Sequence, residues 1–318
     1  MDRKKTRAQF LYSAGELEIR AEAAVAQLHH CTLCPRKCGV DRLSGETGVC
    51  QTGRRALIAS YGPHFGEEAP LVGSGGSGTI FFGGCSLLCA FCQNYDISHG
   101  VTTCSTVDAK QLATIMLELQ EQGCHNINFV TPSHVVPQIL EALAVALPRG
   151  LHTPLVYNSS GYDRAETLHL LDGVIDIYMP DFKFWEPKTA RRYAGASDYP
   201  KRAREALAIM HTQVGDLQIN DQGVAKEGLL VRHLLMPEGE AETHSILSFI
   251  AHHLSKDTYV NIMDQYHPCG KIDHLPELQR PITPKEYEQA RKVARRLELT
   301  RLDQRDLGVL LKKLALFQ

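Results

Sequence analysis

No stretch of the 318-residue chain stays apolar over the roughly 18 residues that a membrane span requires. An excess of charge of one sign is missing too: 34 lysines and arginines face 36 aspartates and glutamates, a formal net charge of −2. That balance argues against a bulk binder of nucleic acid or of an anionic membrane surface. The first residues, Met1-Asp2-Arg3-Lys4-Lys5-Thr6-Arg7, lack the apolar core of a secretory signal, so a cytoplasmic location is expected. Residues 60–78 read as a glycine-rich connection: their run Gly73-Ser74-Gly75-Gly76-Ser77-Gly78 is followed by no lysine that could reach a phosphate and fits no nucleotide fingerprint. What remains is ordinary globular composition, 43% hydrophobic and 22% charged, on a length that fits one large α/β domain with an appendage or two modest domains. The unusual number is ten cysteines.

Seven of the ten fall within the first 92 residues, in two clusters; Cys104, Cys124 and Cys269 stand apart. A disulfide framework belongs to short secreted chains, and this chain is long and rich in periodic apolar residues. Tight Cys-x-x-Cys spacings in such a chain point to metal or cluster ligands instead.

A helix is expected over residues 14–29, with Leu17, Ala21, Ala24, Val25 and Leu28 on one face. From residue 79 strand and helix patterns alternate. Strand-like runs occur at Thr79–Phe82, Ile127–Val130, Pro154–Tyr157, Val174–Met179, Leu229–Leu235 and Tyr259–Met263. Between them lie helical stripes, such as Leu112, Ile115, Met116 and Leu119, which Ser105 and Asp108 precede as a capping box and Gly123 ends. Residues 216–226 read as a small hairpin around Asn220-Asp221-Gln222-Gly223. Thr283-Pro284 starts a helix through Ala290, Val293 and Ala294, and a last amphipathic stretch carries Leu307, Leu310, Leu311 and Leu314. Six alternations predict an α/β fold with a parallel sheet: an open sheet or a partial barrel, but not a full eight-fold one.

The first strand runs into Gly83-Gly84-Cys85-Ser86-Leu87-Leu88-Cys89-Ala90-Phe91-Cys92. In parallel α/β folds ligands bind at the C-terminal ends of strands, so this Cys-x3-Cys-x2-Cys loop sits where a site is expected. A structural zinc or an electron-transfer cluster takes four protein ligands. Three thiolates leave one metal position open, unless Cys104 or His99 closes it.

The segment Cys85-x3-Cys89-x-Phe91-Cys92, ending in an aromatic and a cysteine, resembles the motif of the radical S-adenosylmethionine (SAM) superfamily, over about residues 79–270. The resemblance implies a partial (β/α)6 barrel and a [4Fe–4S] cluster on Cys85, Cys89 and Cys92, its open iron chelated by SAM. It implies reductive cleavage of SAM to methionine and a 5′-deoxyadenosyl radical that abstracts hydrogen from a substrate. It implies a reductant, flavodoxin or ferredoxin, and SAM contacts at further strand ends. Thr131 is the candidate after the second strand, where Thr131-Pro132-Ser133 replaces the family's Gly-Gly-Glu-like segment; Phe91 and Asn158 are further candidates. Met179-Pro180-Asp181-Phe182-Lys183 is similar to the Asp-x-Lys segment of glycyl-radical-enzyme activases, whose two side chains lie near SAM. Arg232 fits the SAM carboxylate, because a guanidinium grips it bidentately. Its place in an apolar strand demands a buried anionic partner in any case. Gln265, Tyr266 and Cys269 are placed to face substrate.

The other cluster, Cys31-x2-Cys34-x3-Cys38-x11-Cys50, supplies four ligands for zinc or a second iron–sulfur cluster. Its Cys-x-Leu-Cys-Pro-Arg-x-Cys-Gly-Val segment, with Gly45-Glu46-Thr47-Gly48-Val49-Cys50 after it, resembles uncharacterised iron–sulfur homologues of pyruvate formate-lyase activating enzyme. True activases differ: some carry accessory cysteines after the radical SAM motif, not before it. The expected organisation is an N-terminal helix and Cys-rich segment over 1–60, the partial barrel over 61–275 and C-terminal helices over 276–318. Three functions follow as expectations: activation of a glycyl radical enzyme, radical modification of a small molecule or peptide, or a non-catalytic electron carrier or zinc scaffold.

Overall fold

A computed structural model describes residues 5–303; the stretch expected through Leu307 to Leu314 lies outside the described residues. Helices α1 (Arg7–Ser13) and α2 (Glu16–Ala26) lead through a 3-10 turn at Gln27–His30 into the first cysteine segment. Strand β1 (Ala56–His64) and the short α3 (Ala69–Val72) follow. Next come β2 (Ser77–Phe82), α4 (Tyr95–His99), β3 (Ser105–Val107), α5 (Ala109–Glu121), β4 (Ile127–Val130) and α6 (Val136–Ala146). The alternation continues with β5 (Leu155–Ser159), α7 (Ala165–Leu170), β6 (Ile177–Pro180), α8 (Pro187–Ala194) and α9 (Tyr199–Val214). The last part holds β7 (Gln218–Ile219), β8 (Ala225–Leu234), α10 (Glu240–Phe249) with a π-helical turn at Ile250–Leu254, β9 (Tyr259–Met263) and α11 (Pro284–Arg296).

The fold is α/β with a mostly parallel sheet. Strands β2, β4, β5, β6, β8 and β9 pair in chain order, each parallel to the last. They fall on the six runs expected from the sequence. The expected hairpin is β7 against β8. Two strands were not expected: β1 runs antiparallel to β2, and β3 antiparallel to β1. Strand β1 has no clean alternation, with Ser60, Tyr61, Pro63 and His64 facing outward at the sheet margin, so its period is masked. The capping box before α5 is Asp108 with Gln111, not Ser105 with Asp108: Asp108 Oδ1 accepts from the Gln111 amide at 2.9 Å, while Ser105 belongs to β3.

Alternation within the parallel strands sets up two faces. One face (Ile80, Phe82, Ile127, Phe129, Tyr157, Val231) joins the helices in the main core, which also takes in Ala8, Leu17, Ala21 and Ala24 of α1 and α2. The other face carries a smaller apolar cluster including Val156, Ile177, Met179, Leu230 and Tyr259. Two residues further along β5 and β8, on that same face, stand Asn158 and Arg232. The apolar cluster is thus a floor, and the strand ends above it are polar.

Candidate functional site

The loop that leaves β2 is pinned from several sides. Gly84 has φ +80°, and a Cβ there would lie 2.1 Å from the Cys50 carbonyl oxygen, so glycine is required where the two cysteine segments touch. Leu88 holds a left-handed φ of +57°, which is unusual without glycine. Arg36, from the first cysteine segment, donates to the carbonyls of Ser86 (2.8 Å), Leu87 (2.9 Å), Ala194 (2.9 Å) and Gly195 (2.8 Å). The Ala90 amide donates to Tyr193 O, and Ala90 O accepts from the Lys271 amide, both at 2.8 Å. Phe91 is buried edge-on against Phe184, Tyr193 and Tyr266.

Held this way, Cys85, Cys89 and Cys92 line one cavity of about 340 Å³. Cys85 Sγ accepts from the Leu87 amide at 3.4 Å and Cys92 Sγ from Ser98 Oγ at 3.2 Å. Burial pushes the Cys85 and Cys89 thiols up, and the Lys183 ammonium opposes that at both. The cavity wall also carries Phe91, Thr131, Asn158, Asp181, Lys183 and Arg232. The six residues expected as SAM contacts therefore face the same space as the three cysteines.

Four of those side chains form a charge network. Asp181 Oδ2 pairs with Lys183 Nζ at 2.6 Å and Oδ1 with Arg232 Nε at 2.8 Å; Arg232 Nη2 donates to Asn158 Oδ1 at 2.7 Å. Asp181 and Lys183 are not a surface pair: their side chains are 10% and 14% exposed. Burial raises the Asp181 carboxyl, but Arg232 and Lys183 outweigh it and hold it below the usual range. Burial lowers the Lys183 ammonium, but Asp181 and Cys89 outweigh it and hold it above its usual value. The anion that Arg232 needs is Asp181, which leaves fewer of its donors for a ligand. Thr131 stands at φ +61° with its amide on Asn158 O at 2.9 Å, a left-handed β-branched residue at a strand end.

Glu68 escaped notice in the sequence because it sits in the stretch read as a connection. It lines the cavity, is 1% exposed, accepts from Asn261 Nδ2 at 2.9 Å and lies 3.8 Å from Arg232 Nη1, while Oε2 has no partner. Burial pushes its carboxyl up, against the pull of Arg232. The only sequence signal was an acidic pair, Glu67-Glu68, ahead of Pro70.

Of the residues placed to face substrate, Gln265 lines the cavity and two others do not. Cys269 turns its thiol to the Phe91 carbonyl at 3.2 Å, and Tyr266 is buried with its hydroxyl on Leu278 O at 2.8 Å. Tyr266 is thus a packing residue, and Cys269 braces the loop from behind. Cys104 and His99 are not among the cavity-lining residues either. Cys104 packs behind Gly83, where an added Cβ would meet its sulfur, and the His99 ring stacks on Tyr95.

The four N-terminal cysteines gather in a second, small pocket. Cys31, Cys34, Cys38 and Cys50 line it together with Arg42 and His134. Burial pushes the Cys34 thiol up to about 12 and raises Cys50 as well, the latter opposed by Arg42. Among the described residues, no three cysteine, histidine or acidic side chains yet stand in the geometry of a finished metal shell. The two cysteine sets are collected into two pockets rather than closed around two points.

No protein-family model matches the chain. It is 31% identical over 290 residues to the Uncharacterized protein MJ0674 of Methanocaldococcus jannaschii, a match covering 89% of this chain and 79% of that protein. The aligned span is too long to be a shared motif, and the chain belongs to the same family as that archaeal protein.

Proposed function

We propose that the protein is a radical SAM enzyme. The observation that carries this reading is the convergence of Cys85, Cys89 and Cys92 on one cavity at the end of a run of parallel strands. The cavity volume falls in the range of small-molecule sites, roughly 300–1,000 Å³. The donor set suits the cofactor: three thiols, with neither Cys104 nor His99 in the wall to close a fourth position. We read the six parallel strands as a partial (β/α)6 barrel, because they pair in chain order without the reversal that a doubly wound sheet contains.

When bound, a [4Fe–4S] cluster and SAM would supply one-electron reduction of the sulfonium and, from it, a carbon radical able to take hydrogen from an unreactive C–H bond. The protein's residues bind and orient. Cys85, Cys89 and Cys92 would hold the cluster. Lys183 and Arg232 supply positive charge beside them, and Asp181 fixes both cations in place. Asn158 and Thr131 offer polar contacts at neighbouring strand ends, while Leu87, Phe91, Leu234 and Met263 keep the wall apolar and exclude water.

The test is anaerobic reconstitution with iron and sulfide, followed by dithionite and SAM. The expected product is 5′-deoxyadenosine, abolished by Cys85→Ala, Cys89→Ala or Cys92→Ala. Product formation unchanged in Cys85→Ala sinks the reading. Two substrate classes remain within it. A glycyl radical signal raised on a partner enzyme identifies an activase; a labelled-SAM product in cell extract identifies a small-molecule or peptide substrate.

A further inference from the structure

Arg42 is buried at 1% exposure, yet among the described residues no carboxylate pairs with it. Its donors go to the Gly53 carbonyl (3.0 Å from Nε, 2.8 Å from Nη2), to the His134 carbonyl (2.8 Å from Nη1) and to Cys31 Sγ at 3.8 Å. Carbonyls satisfy its N–H groups but do not neutralise a guanidinium, which keeps its charge at any ordinary pH. A buried charge without a counter-ion is among the costliest things a fold can hold.

The surrounding pocket contains no acidic residue; its only source of negative charge is Cys31, Cys34, Cys38 and Cys50. Free thiols are neutral at pH 7, and become thiolates when a metal displaces their protons. The free space among the four cysteines is about 10 Å³, room enough for a single ion. His134 adds an independent pointer. Its Nε2 donates to the Gly83 carbonyl at 3.0 Å, and its Nδ1 is a buried acceptor without a partner in a side chain that walls the pocket.

We propose that Cys31, Cys34, Cys38 and Cys50 bind one tetrahedral divalent metal ion of the zinc class as thiolates, with Arg42 as the counter-ion of that centre. A divalent ion with four thiolates carries two negative charges, and Arg42 cancels one. Binding releases four protons. The centre stands apart from the radical SAM reading, since none of its ligands lines the larger cavity.

The test uses the full chain carrying Cys85→Ala, Cys89→Ala and Cys92→Ala, stripped with a chelator and titrated with cobalt(II). Expected is one cobalt per chain, with thiolate charge-transfer absorption and the visible bands of tetrahedral cobalt, displaced by zinc. Cys34→Ser is expected to weaken binding at least about a hundredfold. Arg42→Leu is expected to weaken it about tenfold or more, and Arg42→Lys to retain most of it. Elemental analysis of the unsubstituted chain, showing one zinc beside any iron, supports the site should a variant fail to fold. Four irons and four sulfides on the triple variant, or no cobalt bound, overturns the proposal. A His134→Gln spectrum that changes while Cys34→Ser leaves it intact overturns the four-thiolate shell. Affinity unchanged in Arg42→Leu overturns the counter-ion. Absence of 5′-deoxyadenosine in the catalytic assay leaves all of these outcomes unmoved.

Discussion

Asp181 carries two cations at once, and that makes it the residue on which the polar layer depends. Removing one member of a buried ion pair strands the other, at roughly 3–5 kcal/mol. Asp181→Asn is therefore expected to lower unfolding stability by about that amount in urea titrations near pH 7. The sign with pH follows from its lowered folded pKa. Its contribution is complete above the ordinary carboxylate value of about 3.9 and is lost as pH falls through the lower folded value. The gap between wild type and Asp181→Asn should thus narrow below about pH 4. His233 behaves the same way for a different reason. It is buried with Nδ1 donating to Phe182 O at 2.7 Å and Nε2 accepting from Thr243 Oγ1 at 2.9 Å, and burial lowers it from 6.5 to about 4. A depressed histidine stabilises the fold above its unfolded pKa and withdraws that stability as pH falls toward the folded one. Wild type should lose about 3 kcal/mol from this residue between pH 6.5 and 4. A His233→Gln variant should lack that part of the slope; an unchanged slope refutes the assignment.

At the scale of elements, the segment between β2 and α4 is shaped by contacts made far away in the chain. Gly84→Ala combines a left-handed φ with a Cβ 2.1 Å from the Cys50 carbonyl. The φ alone costs upwards of about 1 kcal/mol, and the clash adds to it. A lowered melting temperature measured by circular dichroism is the expected result. Arg36→Lys keeps the charge but not the fork that reaches four carbonyls, so amide exchange over residues 86–90 should quicken while the charge of the segment is unchanged. The six parallel strands were legible because strands buried on both faces leave dense apolar runs. The three-cysteine loop was legible because ligand spacing is local. Strands β1 and β3 were not, since an exposed margin strand has weak alternation and a three-residue strand has none to show. Asp108 was misassigned as the fourth member of a capping box because Ser105, three residues before it, imitates the pattern that Asp108 and Gln111 complete. Glu68 was hidden by its glycine-rich setting, and Cys269 was assigned inward because nothing in its spacing reveals that it faces the back of the loop.

At the scale of the whole molecule, the first cysteine segment is stitched to the rest rather than appended. Arg164 donates to Thr32 O, and Thr167 Oγ1 donates to Leu33 O at 2.6 Å. His134 and Arg42 meet between the two cysteine sets, so the smaller pocket borders the start of the loop that lines the larger one. Family membership reaches across this seam as well, since the match to the archaeal relative covers 89% of the chain.

The Arg36 clamp also fixes an order of events on the ribosome. Arg36 and its acceptor Ala194 are 158 residues apart in the chain. At bacterial-like elongation of about 5–20 residues per second, the acceptor emerges roughly 8–30 s after the arginine. Through that interval Cys31, Cys34, Cys38 and Cys50 have been made, while the helix end they will dock beside has not. The first cysteine segment is therefore made well before the helix end that clamps it, and through that interval its thiols lack the contacts that Arg36 provides in the finished fold.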